Sequence, residues 1–312
     1  MTYRFGHHIG RALTGLATVL TATALTGTAA SAATHVPTPV PAPDRAASPS
    51  VAAPGATQDA GARAAARSSA PLLPVWAVTR SGDQYWYWPD GRGGLSQRER
   101  SEDGWAGIDA TTQVDLHSNG SSAALYARGS DGTLVYSDSL GNTRVLGGGW
   151  HKYNVLLSPG DLGGTKQSDL VTRDAAGVLW LHPAKSDGTL SARKKVGLGW
   201  GQYTHITGQH DLSGDGRADI VARDRSGVLW LYKGTGDSAK PFAQRSKVGP
   251  GWNAFNHLVS TGDVNGDSRT DLLARDKAGA LWLYKGTGKA SAPYQAKVKI
   301  GSAGWNQYTQ IF

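Results

Sequence analysis

The chain has 312 residues, of which 42 are glycine and 14 are proline, and it contains no cysteine. The missing cysteines exclude a disulfide framework and a cysteine nucleophile. The formal net charge is +8, but lysine and arginine do not cluster with interleaved aromatic residues, so the sequence predicts no nucleic-acid partner.

The N-terminal segment has the three parts of a secretory signal. Basic residues precede a weakly apolar run over residues 12–25, and Ala30 and Ala32 form an A-x-A cleavage site. The run is short and contains Thr and Gly, which disfavours the alternative, a membrane anchor. Residues 1–33 are therefore predicted to be a signal peptide, and the protein is predicted to be secreted and extracellular, with no membrane span.

Residues 34–74 are rich in alanine and proline and poor in large apolar side chains. Such a composition cannot bury enough apolar surface to offset the entropy lost on ordering. The sequence predicts a disordered linker here, or a segment that is removed by processing.

A repeated unit fills residues 75–312. Each unit contains short runs rich in Val, Ile, Leu, Tyr and Trp, separated by Gly or Asp turns, which is typical of strands joined by hairpins. Four such strands in a unit of about 50 residues match the blade of a propeller. A glycine–tryptophan pair marks the units, at Trp105, Trp150, Trp200, Trp252 and Trp305.

The two ends of the repeat region complement each other. The chain stops after "GWNQYTQIF", the first strand of a unit, and the region begins at Val75 inside a unit that lacks its first strand. Together they make one complete blade. The sequence therefore predicts an all-β, five-bladed β-propeller of four-stranded antiparallel blades, closed by strands from both termini, as a monomeric ring. The predicted blades are residues 305–312 with 75–104, then 105–149, 150–199, 200–251 and 252–304.

Two acidic loops have the oxygen-rich pattern of a calcium site. Oxygen-bearing side chains stand at positions 1, 3, 5 and 9, and position 7 can contribute a backbone carbonyl oxygen. The predicted ligands are Asp211, Ser213, Asp215, Arg217 and Asp219 in the fourth unit and Asp263, Asn265, Asp267, Arg269 and Asp271 in the fifth. The alternative is an ordinary turn in which these side chains accept hydrogen bonds from their own backbone. The third unit keeps only Asp161 and Asp169 as good ligands, so calcium there stays undecided.

The repeated motifs resemble a known family. "DIVARDRSGVLWLY" (219–232) and "DLLARDKAGALWLY" (271–284) follow the acidic loops in the same order, and this arrangement resembles the FG-GAP/VCBS repeats of integrin-like β-propellers over about 75–312. The resemblance implies the propeller fold and calcium in the loops. It implies no single activity, because the family includes adhesion proteins, lectins and modules appended to enzymes.

Aromatic residues of the "LWLY" strands are the main candidates for ligand binding. Side chains alternate along a strand, so Trp230 and Tyr232 face one side and the intervening leucines face the other. These rings either pack between blades or form a platform on which a sugar stacks. The predicted ligand-binding residues are Trp180, Trp230, Tyr232, Trp282, Tyr284, His205 and His257.

An arginine occupies the same place in every unit, including units whose acidic loops are degraded. It is therefore expected to serve the fold by pairing with a carboxylate or carbonyl group of the neighbouring blade. The residues are Arg80, Arg128, Arg173, Arg223 and Arg275.

The sequence predicts no catalytic residues. It lacks a Gly-x-Ser-x-Gly elbow, a His-Glu-x-x-His helix and a P-loop. The leading hypothesis is a secreted, calcium-binding, lectin-like module that binds cell-surface or cell-wall glycans. The alternatives are a protein-interaction or targeting subunit of a larger secreted complex, such as a toxin particle, and a hydrolase whose carboxylates come together in space.

Overall fold

The computed structural model describes residues 70–101, 105–118, 120 and 124–312. These residues form five four-stranded antiparallel sheets, so the predicted propeller fold is confirmed. The predicted signal peptide and residues 34–69 of the predicted linker lie outside the described residues. Within the described part of the chain, no helix is long and apolar enough to cross a membrane.

Each blade is a single sheet whose strands are joined in chain order, and one blade contains strands from both chain ends. That split blade contains β1 (Val75–Thr79), β2 (Gln84–Tyr87), β3 (Glu99–Arg100) and, from the C-terminus, β20 (Tyr308–Ile311). The other blades are β4 (Ile108–Val114), β5 (Ala124–Gly129), β6 (Leu134–Asp138) and β7 (Thr143–Gly147); β8 (Tyr153–Gly160), β9 (Asp169–Asp174), β10 (Leu179–His182) and β11 (Lys194–Gly197); β12 (Tyr203–Thr207), β13 (Ile220–Asp224), β14 (Leu229–Tyr232) and β15 (Ser246–Gly249); and β16 (Phe255–Gly262), β17 (Asp271–Asp276), β18 (Leu281–Tyr284) and β19 (Val298–Gly301).

The glycine–tryptophan pair forms the junction between successive blades. In four units the glycine adopts a left-handed φ between 81° and 92°, a conformation that other residues rarely take, and a single turn of 3-10 helix follows. The tryptophan N–H then donates to a glycine carbonyl in the preceding blade, as Trp200 does to Gly177 at 2.9 Å. The motif therefore ends one blade, begins the next and bonds the two together.

Five hydrophobic clusters, one at each junction, form the core. At the junction of the third and fourth blades, Leu179 and Leu181 pack against Trp200 and Ile220, and all four side chains are buried. The leucines of each "LWL" strand thus face the next blade along the chain. A single sheet could not cover both of its apolar faces, and the closed ring covers them all.

The shared arginine joins neighbouring blades. Arg173 Nη1 donates to the backbone oxygens of Trp200 (3.0 Å) and Tyr203 (2.6 Å) in the following blade. The same pair of bonds is made by Arg128, Arg223 and Arg275. The expectation of a carbonyl partner is confirmed for these four. It is wrong for Arg80, which lies exposed beyond the end of β1, where the pairing with β20 shifts register.

The last residues of the predicted linker belong to the propeller. Leu72 forms an antiparallel bridge with Gly262, and Asp263 N–H donates to the carbonyl oxygen of Pro71 at 2.8 Å. Leu73 is buried. The predicted disorder is therefore wrong for residues 70–74, because Leu73 buries an apolar side chain and the backbone of Pro71 and Leu72 pairs with the fifth blade.

Candidate functional site

The acidic loops of the third, fourth and fifth blades are each closed by hydrogen bonds from their own backbone to their first aspartate. Asp211 accepts from the N–H groups of Gly214 and Gly216, both at 2.7 Å. Asp161 and Asp263 accept bonds from the same two loop positions in the third and fifth blades. The first aspartate therefore has a structural role in all three loops.

The ninth-position aspartate connects the loop to the outer hairpin of the blade. Asp219 accepts from the N–H groups of Ser213 and Gly234, both at 2.8 Å. Asp169 and Asp271 accept bonds from the N–H groups at the equivalent positions. Burial raises the pKa of all three carboxyl groups to about 6, because it disfavours the charged form more strongly than the N–H donors favour it.

The remaining predicted ligands do not complete a metal cage. Asp215 lies 3.7 Å from Lys233 Nζ, and Asp267 lies 3.7 Å from Arg269 Nη1. Asn265 donates its side-chain amide to the ninth-position carboxylate. Over the described ranges, no three His, Cys, Asp or Glu side chains converge as a metal site. Calcium binding therefore stays a prediction, and the turn that was its alternative explains the first and ninth aspartates.

The tryptophans of the "LWLY" strands are held at the outer part of their blades. Trp230 Nε1 donates to Asp224 Oδ2 at 2.8 Å, and the guanidinium carbon of Arg245 lies 4.0 Å from the ring centroid. Trp180 and Trp282 repeat this arrangement with Asp174 and Arg193, and with Asp276 and Lys297. A cation already lies over each ring, so these tryptophans are less open to a sugar than the sequence suggested.

In the fourth and split blades, a tyrosine on the first strand pairs with a tyrosine at the end of the strand two positions away in the sheet. Tyr203 and Tyr232 share a hydrogen bond between hydroxyl groups at 2.5 Å, and Arg245 Nη1 donates to Tyr203 Oη. In the split blade, Tyr87 and Tyr308 share a hydroxyl bond at 2.6 Å. We call this arrangement of two tyrosines and an arginine the tyrosine corner. At the corner of the fourth blade, these bonds leave neither hydroxyl group without a partner.

The fifth blade lacks the tyrosine corner. Phe255 stands where the third, fourth and split blades have Tyr153, Tyr203 and Tyr308, and Lys297 stands where the fourth has Arg245. Tyr284 keeps its ring contact with Trp252, with centroids 4.6 Å apart, but its hydroxyl group makes no hydrogen bond to any described residue. Because Phe255 lacks the hydroxyl group that Tyr203 has, Tyr284 Oη and Lys297 Nζ have no partner at this corner.

These two groups line a cleft between β15 of the fourth blade and the fifth blade. The cleft has a volume of about 290 Å³. Its floor is aromatic, with Trp252 and Phe255 buried and Tyr284 and Tyr294 partly exposed. The remaining side chains are Val248, Pro250, Ala254, Gln295 and Lys297. An aromatic surface beside unsatisfied polar groups suits a ligand that has both C–H faces and hydroxyl groups.

Sequence reasoning identified only Tyr284 among the lining residues. The signal for the others was present, since Phe255 and Lys297 stand where the third and fourth blades both have tyrosine and arginine. Its meaning depended on the contact between the side chains of Phe255 and Lys297, which come from strand regions that are not neighbours in the sheet.

The two predicted histidines lie near the axis of the ring and do not contribute to this cleft. His257 lines a channel of about 170 Å³ between the first strands of the five blades, and its Nε2–H donates to the carbonyl oxygen of Ile311 at 3.0 Å. His205 Nδ1 accepts from Arg223 Nη2 at 2.6 Å. Burial lowers the pKa of His205 to about 3 and that of His257 to about 4, so both rings are neutral near pH 7.

Part of the chain matches a known repeat. Residues 211–274 match the model of a family described as FG-GAP-like repeat. The match runs from the acidic loop of the fourth blade to β17 of the fifth, and it confirms the resemblance for that segment. A comparison with curated proteins gives no match.

Several solved structures are similar to this chain at low sequence identity. The BP39L lectin from Burkholderia pseudomallei is 14% identical with a TM-score of 0.48, over 75% of this chain and 69% of that one. AofleA from Arthrobotrys oligospora is 8% identical with a TM-score of 0.45, over 75% and 73%. The Cps50 (Swd1) β-propeller domain from Myceliophteria thermophila is 11% identical with a TM-score of 0.36, over 72% and 68%. At this level the similarities carry no argument about function.

Proposed function

We propose that this protein is a secreted, non-catalytic module that binds carbohydrate in the cleft between its fourth and fifth blades. The observation that carries the proposal is the free hydroxyl group of Tyr284 beside Lys297 and an aromatic floor. In the fourth and split blades, the equivalent hydroxyl groups bond to each other.

The chemistry of the cleft favours a sugar over a wholly apolar ligand. The partly exposed rings of Tyr284 and Tyr294 offer faces for the C–H groups of a pyranose. Tyr284 Oη, Lys297 Nζ and the Gln295 amide offer hydrogen bonds to hydroxyl groups. A cleft of about 290 Å³ would accept one or two sugar rings of a longer chain, leaving the rest in solvent.

Calcium is a second part of the proposal. Asp215 and Asp267 have partly exposed carboxylates in loops that already present a pattern suited to a hard cation. Such an ion would lie in the loops and would stabilise the blade without contacting the sugar. Its role would be structural.

The test is a screen of the full chain against immobilised glycans, followed by calorimetry on the best ligands. Tyr284→Phe removes the free hydroxyl and should weaken binding by about three- to tenfold, the loss typical of one hydrogen bond. Tyr232→Phe is the matched control, since it removes a hydroxyl that is already satisfied within the fourth blade. Absence of binding to every glycan, or equal effects of both substitutions, would count against the proposal.

A further inference from the structure

We infer that the glycan bound in the cleft is anionic, an acidic polysaccharide whose carboxylate or phosphate groups bind Lys297. This inference rests on the proposed function and specifies its ligand. Its basis is the charge of the cleft and of the surface that continues from it.

The cleft contains one charged side chain, and that side chain is a cation. No aspartate or glutamate is among the residues that line it. Lys297 Nζ lies 4.4 Å from the ring centroid of Trp282 and 5.0 Å from that of Phe255, and no described carboxylate oxygen lies within 4.0 Å of it. A charge held against two rings without a counter-ion is ready to bind an anionic group of a ligand.

The neighbouring lysine shows the contrast. Lys299 Nζ also lies near Trp282, at 5.0 Å, but it contributes to lowering the pKa of Asp276, after the hydrogen bond from the Trp282 indole. Lys299 is therefore partly balanced by a carboxylate of its own blade. Lys297, the residue before β19, lines the cleft, and Lys299 does not.

A belt of positive charge continues from the cleft around the ring. The belt consists of the outermost strand of each blade and the residue that precedes that strand. Every blade contributes lysine or arginine to it, and Glu99 is the sole acidic residue at these positions. The basic residues of this belt are Arg98, Arg100, Arg144, Arg193, Lys194, Lys195, Arg245, Lys247, Lys297 and Lys299.

Protection of sheet edges explains part of the belt. Charged side chains on an edge strand prevent the strands of different molecules from pairing. Acidic side chains would protect an edge strand equally well, because they too repel one another. Edge protection therefore does not explain why basic residues outnumber acidic ones in the belt. A polyanion that enters the cleft and follows the belt would contact both Lys297 and the other basic residues. Each additional contact would add to the binding of the single polymer.

The experiment compares matched oligosaccharides on the full chain by calorimetry at low and at physiological salt. An oligogalacturonate and its methyl-esterified form share rings and linkages and differ in charge. We expect the acid form to bind about three- to tenfold more tightly than the ester at low salt, with the difference shrinking as salt rises. A poly(glycerol phosphate) oligomer, run in parallel, distinguishes phosphate from carboxylate as the source of charge.

Substitutions of single lysines test whether the preference for the acid form arises in the cleft. Lys297→Gln should remove the preference for the acid form, and Lys297→Arg should keep it. Lys247→Gln, on the outer strand of the fourth blade and outside the cleft, is the matched control for loss of one belt charge.

Three outcomes separate the two proposals. Equal binding of acid and ester would overturn the inference and leave carbohydrate binding intact. Binding of neither, nor of any neutral glycan, would overturn the proposed function itself. Binding of single-stranded DNA as tight as that of the acidic glycan, unaffected by Lys297→Gln, would show a non-specific basic surface and overturn the inference.

Discussion

Trp76 and Phe312 close the ring. The Trp76 N–H donates to the Phe312 carbonyl oxygen at 2.8 Å, and the Phe312 N–H donates to the Trp76 carbonyl oxygen at 3.0 Å. Their side chains are stacked, with ring planes 5° apart, and Trp105 of the next blade contacts Phe312. The last residue of the chain thus belongs to the core of a junction formed by residues from distant parts of the sequence.

Phe312→Ala should therefore destabilise the whole propeller. Phe312 is 7% exposed, and removal of a buried phenylalanine ring costs about 3 kcal/mol or more in the free energy of unfolding. Chemical denaturation followed by tryptophan fluorescence measures the change. Leu140→Ala is the control, since Leu140 is 85% exposed and its removal should change little. Equal stability of the two variants would mean that the ring does not depend on this closure.

The shared arginine gives a second prediction. Arg223 is buried and donates to the carbonyl oxygens of Trp252 and Phe255, so Arg223→Met would leave both oxygens without this donor. We expect a loss of about 2 kcal/mol in the free energy of unfolding. Arg80→Met, at the exposed equivalent position, should be neutral. A neutral Arg223→Met would assign the repeated arginine to something other than the fold.

The axial histidines predict a loss of stability in acid. The pKa of His257 is lowered to about 4, mainly by burial, whereas an unfolded histidine titrates near pH 6.5. Stability from the neutral ring is fully present above pH 6.5 and is lost as pH falls toward 4, because the unfolded chain takes up a proton that the folded chain does not. Between pH 7 and 5, His257→Gln should therefore lose about 2 kcal/mol less than the parent protein.

The measurement is denaturant unfolding of both proteins across this pH range. The raised pKa values of Asp169, Asp219 and Asp271 act in the opposite direction, but they are common to both proteins and cancel in the difference. Identical pH profiles would show that His257 titrates normally in the folded protein.

The sequence was sufficient for the fold and insufficient for the site. Five glycine–tryptophan pairs and the complementary chain ends, Val75 and Phe312, predicted five blades and the closure of the ring, because repeats impose one sheet geometry on each unit. The cleft depends instead on one departure from the repeat, Phe255, and on Lys297, about 40 residues later. The two side chains approach each other only in the folded blade. The three-dimensional arrangement is therefore needed to show that the fifth blade lacks the hydrogen bonds of the tyrosine corner.

The calcium proposal predicts a cation-dependent melting temperature. An ion that binds only the folded chain stabilises it by about 2.7 kcal/mol at a concentration 100 times its Kd. Asp215→Asn with Asp267→Asn should abolish the shift between calcium and EDTA, since these carboxylates are the ones the loop amides leave least engaged. Absence of any shift in the parent protein, with no calcium binding by calorimetry, would show that the acidic loops are turns closed by their own backbone hydrogen bonds.

The last prediction rebuilds the tyrosine corner in the fifth blade. Phe255→Tyr with Lys297→Arg restores the residue types of the fourth blade, so the Tyr284 hydroxyl gains a bonding partner as Tyr232 has in Tyr203. We expect the free energy of unfolding to rise by about 1 kcal/mol and glycan binding to be lost, because the groups proposed to bind sugar would bond to each other.

The reverse exchange in the fourth blade, Tyr203→Phe with Arg245→Lys, should lower stability by a similar amount, since it removes the bonds that Tyr203 makes there. Calorimetric titration with the best ligand and denaturant unfolding measure both effects for the two variants. If the rebuilt fifth blade still binds glycan as tightly as the parent protein, the free hydroxyl and amine of the cleft are not what holds the sugar.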